Sequence, residues 1–231
     1  MNNELRIGLD LDGTLTETAP RHKAALLLAA RSLGVELSAS FAETYYEEKR
    51  NGISGKHVLL RHGIPNAEEI SKLWIEIVEN EPLLRTDSLF PLVLSKLKTV
   101  AASGAQFYLV TGRQHESRAL RQIKALGIDA VVSRSFVARV NIKGRRELGK
   151  HELTRCLGLN AVIGDSEADQ AWAHDVDARF YAVECGIRSR NFWEQRRTAS
   201  YKTTPLALEQ LLRVYGASAK RERLKPDRHS L

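Results

Sequence analysis

The chain of 231 residues has only two cysteines, Cys156 and Cys185. Neither a disulfide framework nor a thiolate metal site can be built from that pair, and both read as reduced core residues. Long apolar runs are also absent. The richest, residues 24–30, is far shorter than a membrane span needs. The first residues, Met1-Asn2-Asn3-Glu4, lack the basic-then-apolar build of a secretory leader, so a soluble, cytoplasmic protein is expected. The seven histidines show no metal-ligand spacing, and neither an internal repeat nor a low-complexity tract appears.

What remains is an ordinary globular balance, 43% hydrophobic and 27% charged. Of the formal charge of +7, three units come from the last fifteen residues, which hold Lys220, Arg221, Arg223, Lys225 and Arg228 against Glu222 and Asp227. The mildly basic body suits an anionic small molecule. The tail reads as a disordered, solvated terminus, so no nucleic-acid or membrane partner is expected; oligomeric state is not legible.

Residues 5–11 form a nearly continuous apolar run ending in acid, the pattern of a strand buried on both faces of a parallel sheet. Similar runs fall at 106–110, 161–163 and 179–183, with a further candidate at 130–133. Helical periodicity lies between them, each helix closed by glycine, as at Gly104 and Gly127. The alternation predicts a doubly wound, Rossmann-like α/β sheet. Residues 19–85 interrupt it with four helical segments, 21–33, 39–50, 56–62 and 67–79, and no strand pattern. The expected organisation is an α/β core of residues 1–18 and 86–216, a small all-helical cap over 19–85 inserted after the first strand, and a basic tail at 217–231. A helix over 206–215 is expected to close the core.

Four motifs fall where strands end. Asp10-Leu11-Asp12-Gly13-Thr14 leaves the first strand with two carboxylates at i and i+2, and Gly13 permits a sharp turn. Acids so close repel each other unless a cation or shared proton relieves them, which implies a metal. Thr111-Gly112-Arg113 offers a hydroxyl and backbone N–H groups to phosphate oxygens. Lys150 opens a short helical segment and can bring an ammonium to the same oxygens, with Lys143 as the alternative. Gly164-Asp165-Ser166-Glu167-Ala168-Asp169 adds acids for an oxygen-liganded cation. Between cap helices, Lys49 to Lys56 form a basic loop, read equally well as facing a substrate or as a solvated turn.

In this order the four motifs resemble the haloacid dehalogenase superfamily, in its phosphatase branch. The likeness covers residues 6–16 and 89–186. It implies that Asp10 is the nucleophile, forming an aspartyl-phosphate, and that Asp12 is the general acid and base, protonated at the outset by a raised pKa. It further implies phosphate contacts from Thr111, Gly112, Arg113 and Lys150. Mg2+ would be held by Asp10, Asp12 (through its carbonyl), Asp165 and Asp169. The expected activity is hydrolysis of a small phosphorylated metabolite. A sugar phosphomutase of the same fold, or a binding protein on a retired hydrolase core, are the alternatives. Dehalogenation is disfavoured because relatives of that type lack the second acid, present here as Asp12.

Overall fold

The computed structural model describes residues 4–138 and 149–223, the last seven as backbone only. Six parallel strands form the main sheet: β1 (Arg6–Leu9), β4 (Gln106–Thr111), β5 (Arg134–Val137), β6 (Ala161–Gly164), β7 (Arg179–Val183) and β8 (Ser200–Tyr201). Their order is β5-β4-β1-β6-β7-β8. The chain thus steps from β1 to one edge, then returns to the other side of β1. That reversal opens a crevice at the carboxyl ends of the strands, where open α/β sheets bind ligands.

Alternate side chains leave each strand on opposite faces. Ile7, Leu9, Phe107, Leu109, Ile163, Tyr181 and Val183 pack with α6 (Val93–Ala102), α7 (Glu116–Ala125) and α11 (Thr204–Arg223). Tyr108, Val110, Val162 and Phe180 face Leu153 of α8 (Lys150–Thr154) and Trp172 of α9 (Glu167–Asp175). Gly8 lies under the Trp172 ring, where an added Cβ would come within 2.6 Å of it. α10 (Arg190–Gln195) covers the far end through Phe192 and Trp193.

Two short strands, β2 (Thr16–Glu17) and β3 (Ser88–Leu89), pair antiparallel. Between them the chain forms only helices: α1 (Ala19–Ser32), α2 (Ala39–Arg50), α3 (Gly55–Arg61), α4 (Ala67–Ile77) and the single turn α5 (Glu81–Leu84). The first four bury their own apolar cluster around Leu26, Ala29, Tyr45, Leu59 and Ile70. Ser38 and Ser54 cap α2 and α3 by accepting from the backbone N–H of Phe41 and His57. These five helices fall within residues 19–85.

Three sequence readings are corrected. The strand expected at 130–133 lies at Arg134–Val137, because Gly127 leads into a short 3-10 turn over Ile128–Ala130. The tail expected to be disordered from residue 217 continues α11 to Arg223; residues 224–231 lie outside the described residues. Cys156 is exposed, and Cys185 is half-buried with its thiol donating to the Gly13 carbonyl, so neither is a sealed core residue. The hinge strands β2 and β3 were too short to show a period.

Gly8→Ala should destabilise the protein by about 1–3 kcal/mol, since the new methyl has to displace a packed indole. Urea unfolding checks this: the midpoint should fall with an unchanged slope, and an unchanged midpoint would contradict the packing described.

Candidate active site

The register brings three strand ends together. Asp10 follows β1, Thr111 ends β4, and Asp165 follows β6, with β1 between the other two. The Asp10 N–H continues the ladder by donating to the Ile163 carbonyl at 3.0 Å. Gly13 then turns with φ +75, and a Cβ there or at Gly186 would collide with the Asp165 carboxylate. These two glycines let the backbone close around Asp165, whose Oδ2 accepts the Ile187 N–H at 2.5 Å.

Asp10, Asp165 and Asp169 are all buried, and one oxygen from each lies within 4.8 Å of the others. Lys150 Nζ donates to Asp10 Oδ1 and to Asp169 Oδ1, both at 2.6 Å. Its own helix is fixed from behind: Thr154 Oγ1 donates to the Lys150 carbonyl and accepts from Trp172 Nε1. The other oxygen of Asp169 accepts from the backbone N–H and hydroxyl of Ser166, so Asp169 both caps α9 and faces the cluster. Thr14 Oγ1 donates to Asp10 Oδ2 at 3.2 Å.

Among the described residues one ammonium, that of Lys150, bonds two of these three buried carboxylates. Burial, joined by the charges of Asp169 and Asp12, outweighs Lys150 and pushes Asp10 up to about 7. Asp165 is also raised, by burial and then by the charges of Asp10 and Asp169. An all-oxygen donor set with surplus negative charge fits a hard divalent cation, which would relieve the repulsion that otherwise favours protonation.

Asp12 behaves in the opposite way, and this corrects the expectation of a raised pKa there. Arg113 grips it with both arms, Nε to Oδ2 at 2.6 Å and Nη2 to Oδ1 at 2.5 Å. Arg21, from the first turn of α1, approaches Oδ1 at 3.0 Å. Burial alone would raise its pKa, but these two guanidiniums hold its carboxyl well below the usual carboxylate range. Asp87, just before β3, completes the group at 3.3 Å from Arg21 and 3.6 Å from Arg113. Arg113, read from sequence as a phosphate contact, is buried and bonded to Asp12 and to Gln122.

Thr111 is buried at the rim, and Gly112 leads from it to Arg113. Lys150 lies in the cluster, whereas Lys143 lies outside the described residues. Sequence reading missed Arg21, Asp87, Thr14 and the Ile187 N–H. No local pattern marks Arg21 or Asp87, since only the fold brings them to this group.

With this geometry in place, comparison with known proteins is informative. The sequence profile of haloacid dehalogenase-like hydrolases matches residues 7–177, and the chain belongs to that family. No curated protein sequence matches it. Solved structures do match. A haloacid dehalogenase-like family hydrolase from Streptococcus pneumoniae is 18% identical, with a TM-score of 0.65, covering 92% of this chain and 100% of its own. A predicted phosphoglycolate phosphatase from Haemophilus somnus is 17% identical at a TM-score of 0.65, covering 90% and 97%. A provisionally named β-phosphoglucomutase from Thermotoga maritima is 17% identical at 0.61, covering 91% and 99%. At these identities the likeness is one of fold. Among the described residues no helix is long and apolar enough to cross a membrane.

The unfolded chain gives up the Asp10 proton near 3.8, whereas the folded protein keeps it to about 7. Folding therefore binds a proton in that window, and this group's contribution to stability declines as pH rises from 3.8 through about 7. In chelator, urea midpoints should fall across this range, and Asp10→Asn should flatten part of the fall. An identical slope in the variant would contradict the crowding.

Proposed function

We propose that the protein is a Mg2+-dependent phosphatase acting on a small phosphorylated metabolite, through an aspartyl-phosphate on Asp10. The observation that carries this reading is the trio of Asp10, Asp165 and Asp169 around Lys150 at the carboxyl edge of the sheet. Asp10, Asp165, Asp169 and the Asp12 carbonyl are the groups to hold Mg2+. When bound, the ion supplies positive charge that neutralises phosphoryl oxygens and keeps Asp10 ionised.

The residues then divide the work. The Asp10 carboxylate attacks phosphorus, and the bond from phosphorus to the leaving oxygen breaks as the new one forms. Lys150 and the N–H groups after Thr111 offset charge on the phosphoryl oxygens. Asp12 gives a proton to the departing alkoxide, then removes one from water. That water attacks phosphorus, releases inorganic phosphate and restores Asp10. As an ionised carboxylate Asp12 is ready for the second role. For the first it has to leave the two guanidiniums and take up a proton. Arg21 rides on the insert and Asp87 on the returning segment, so movement of the insert is the change that separates them.

A phosphomutase uses the same residues but returns the phosphoryl group to a sugar hydroxyl. Release of inorganic phosphate distinguishes the two, since a mutase isomerises without net release. With Mg2+ and an aryl phosphate, Asp10→Asn should lower turnover by at least about 1,000-fold, as expected for loss of a covalent nucleophile. Wild-type-like turnover in that variant, or no release of phosphate by the wild type from a panel of phosphorylated metabolites, would overturn the reading.

A further inference from the structure

A cavity of about 440 Å3 lies where α5 and the residues after it meet α7. Asp10, Asp165 and Asp169 are not among the residues that line it. Its volume falls within the range of small-molecule pockets, which form preferentially where two packed units meet. Polar contacts bridge its two sides. Arg121 pairs with Glu81 at 2.6 Å, and Arg118 Nη1 donates to the Glu79 carbonyl at 3.0 Å. Gln122 Nε2 donates to the Leu84 carbonyl and to Asp87 Oδ2, both at 2.9 Å. Gln122 Oε1 accepts from Arg113 Nη2 at 2.8 Å, so one wall residue also bonds the guanidinium that grips Asp12.

The two acids of the wall are already answered. Glu81 is bridged by Arg121, and the Asp87 carboxylate is fully buried against Arg21, Arg113 and Gln122. Two of the three arginines are not. Arg85, in the turn after α5, is exposed and forms no ion pair among the described residues. Arg118 Nη1 gives its bonds to neutral oxygens, the Glu79 carbonyl and Asn80 Oδ1. Two guanidiniums, one from each side, therefore line a single cavity without a carboxylate partner. Leu84 and Leu126 add apolar wall.

A lone surface arginine is ordinarily just solvated. Two that line the same concave, partly apolar space match a ligand with an anionic head and an apolar body. The planar fork of a guanidinium suits carboxylate and phosphoryl oxygens alike. The cavity is also larger than a bare inorganic anion would fill.

We propose that this cavity is a binding site for a small organic anion, its carboxylate or phosphoryl head held by Arg85 and Arg118 and its apolar body against Leu84 and Leu126. Such an occupant bridges the segment after α5 and helix α7. The site is separate from the aspartate cluster and does not depend on the phosphatase reading.

Calorimetric titration of the full chain with 2-naphthoate, 2-naphthylphosphonate and neutral 2-naphthamide tests this. The two anions differ only in the head group, and none of the three is a phosphate ester, so turnover does not compete with binding. The wild type should bind at least one anion about 10- to 100-fold more tightly than the amide, the range of a charge-assisted hydrogen bond. Whichever anion is favoured identifies the head as carboxylate or phosphoryl. Arg85→Met and Arg118→Met should each reduce the preference toward one, and Arg118→Lys should keep more of it than Arg118→Met. The Arg85 side chain makes no bond among the described residues, so Arg85→Met decides the matter even where urea unfolding shows Arg118→Met to be unstable. A preference that Arg85→Met leaves intact places the anion elsewhere, at the aspartate cluster for example, and overturns the proposal. A wild type that binds neither anion more tightly than the amide overturns it as well.

Discussion

Everything in the site follows from putting more negative charge at one rim of the sheet than the described residues there neutralise. Asp10, Asp165 and Asp169 are buried within reach of one another, and Lys150 bonds two of them, Asp10 and Asp169. Protein interiors tolerate such crowding only when protons or cations relieve it. The surrounding structure is consequently arranged to keep the acids in place. Glycines at 13 and 186 leave room for Asp165, Ser166 ties Asp169 to the start of α9, and the Trp172–Thr154 bond sets the helix that carries Lys150.

A second charged group, close by but balanced, ties the chemistry to the insert. Asp12 and Asp87 face Arg21 and Arg113, two anions against two cations, drawn from the loop after β1, the returning segment, α1 and the turn after β4. The insert is held to the core elsewhere as well. Glu79 accepts the backbone N–H groups of Gln114 and His115 at the start of α7, and Arg50 holds the Glu184 and Gly186 carbonyls. The segment that receives Arg50 also gives the Ile187 N–H to Asp165. Position of this helical segment and geometry of the acids are thus tied to the same few contacts.

Much of this was legible in the sequence because the signals are local. Apolar runs located β1, β4, β6 and β7, and helical periodicity located α2 and α3. The aspartates and Lys150 could be placed because each directly follows such a run or opens a helix. The hinge strands of two residues each carry no period, and β5 was misplaced because glycine and a 3-10 turn delay it. The state of Asp12 was illegible for a different reason. Its charge is decided by Arg113, 101 positions away, and by Arg21, whose sequence context is that of any exposed helical arginine.

The claim on which the account rests is that Asp10, Asp165 and Asp169 together hold one divalent cation. Anomalous scattering from crystals grown with Mn2+ tests it directly. The account requires a single strong peak bonded to oxygens of Asp10 and Asp165, with Asp169 in its immediate surroundings. A site free of metal at saturating Mn2+, or a peak bonded elsewhere with these aspartates still gripping Lys150, would contradict it.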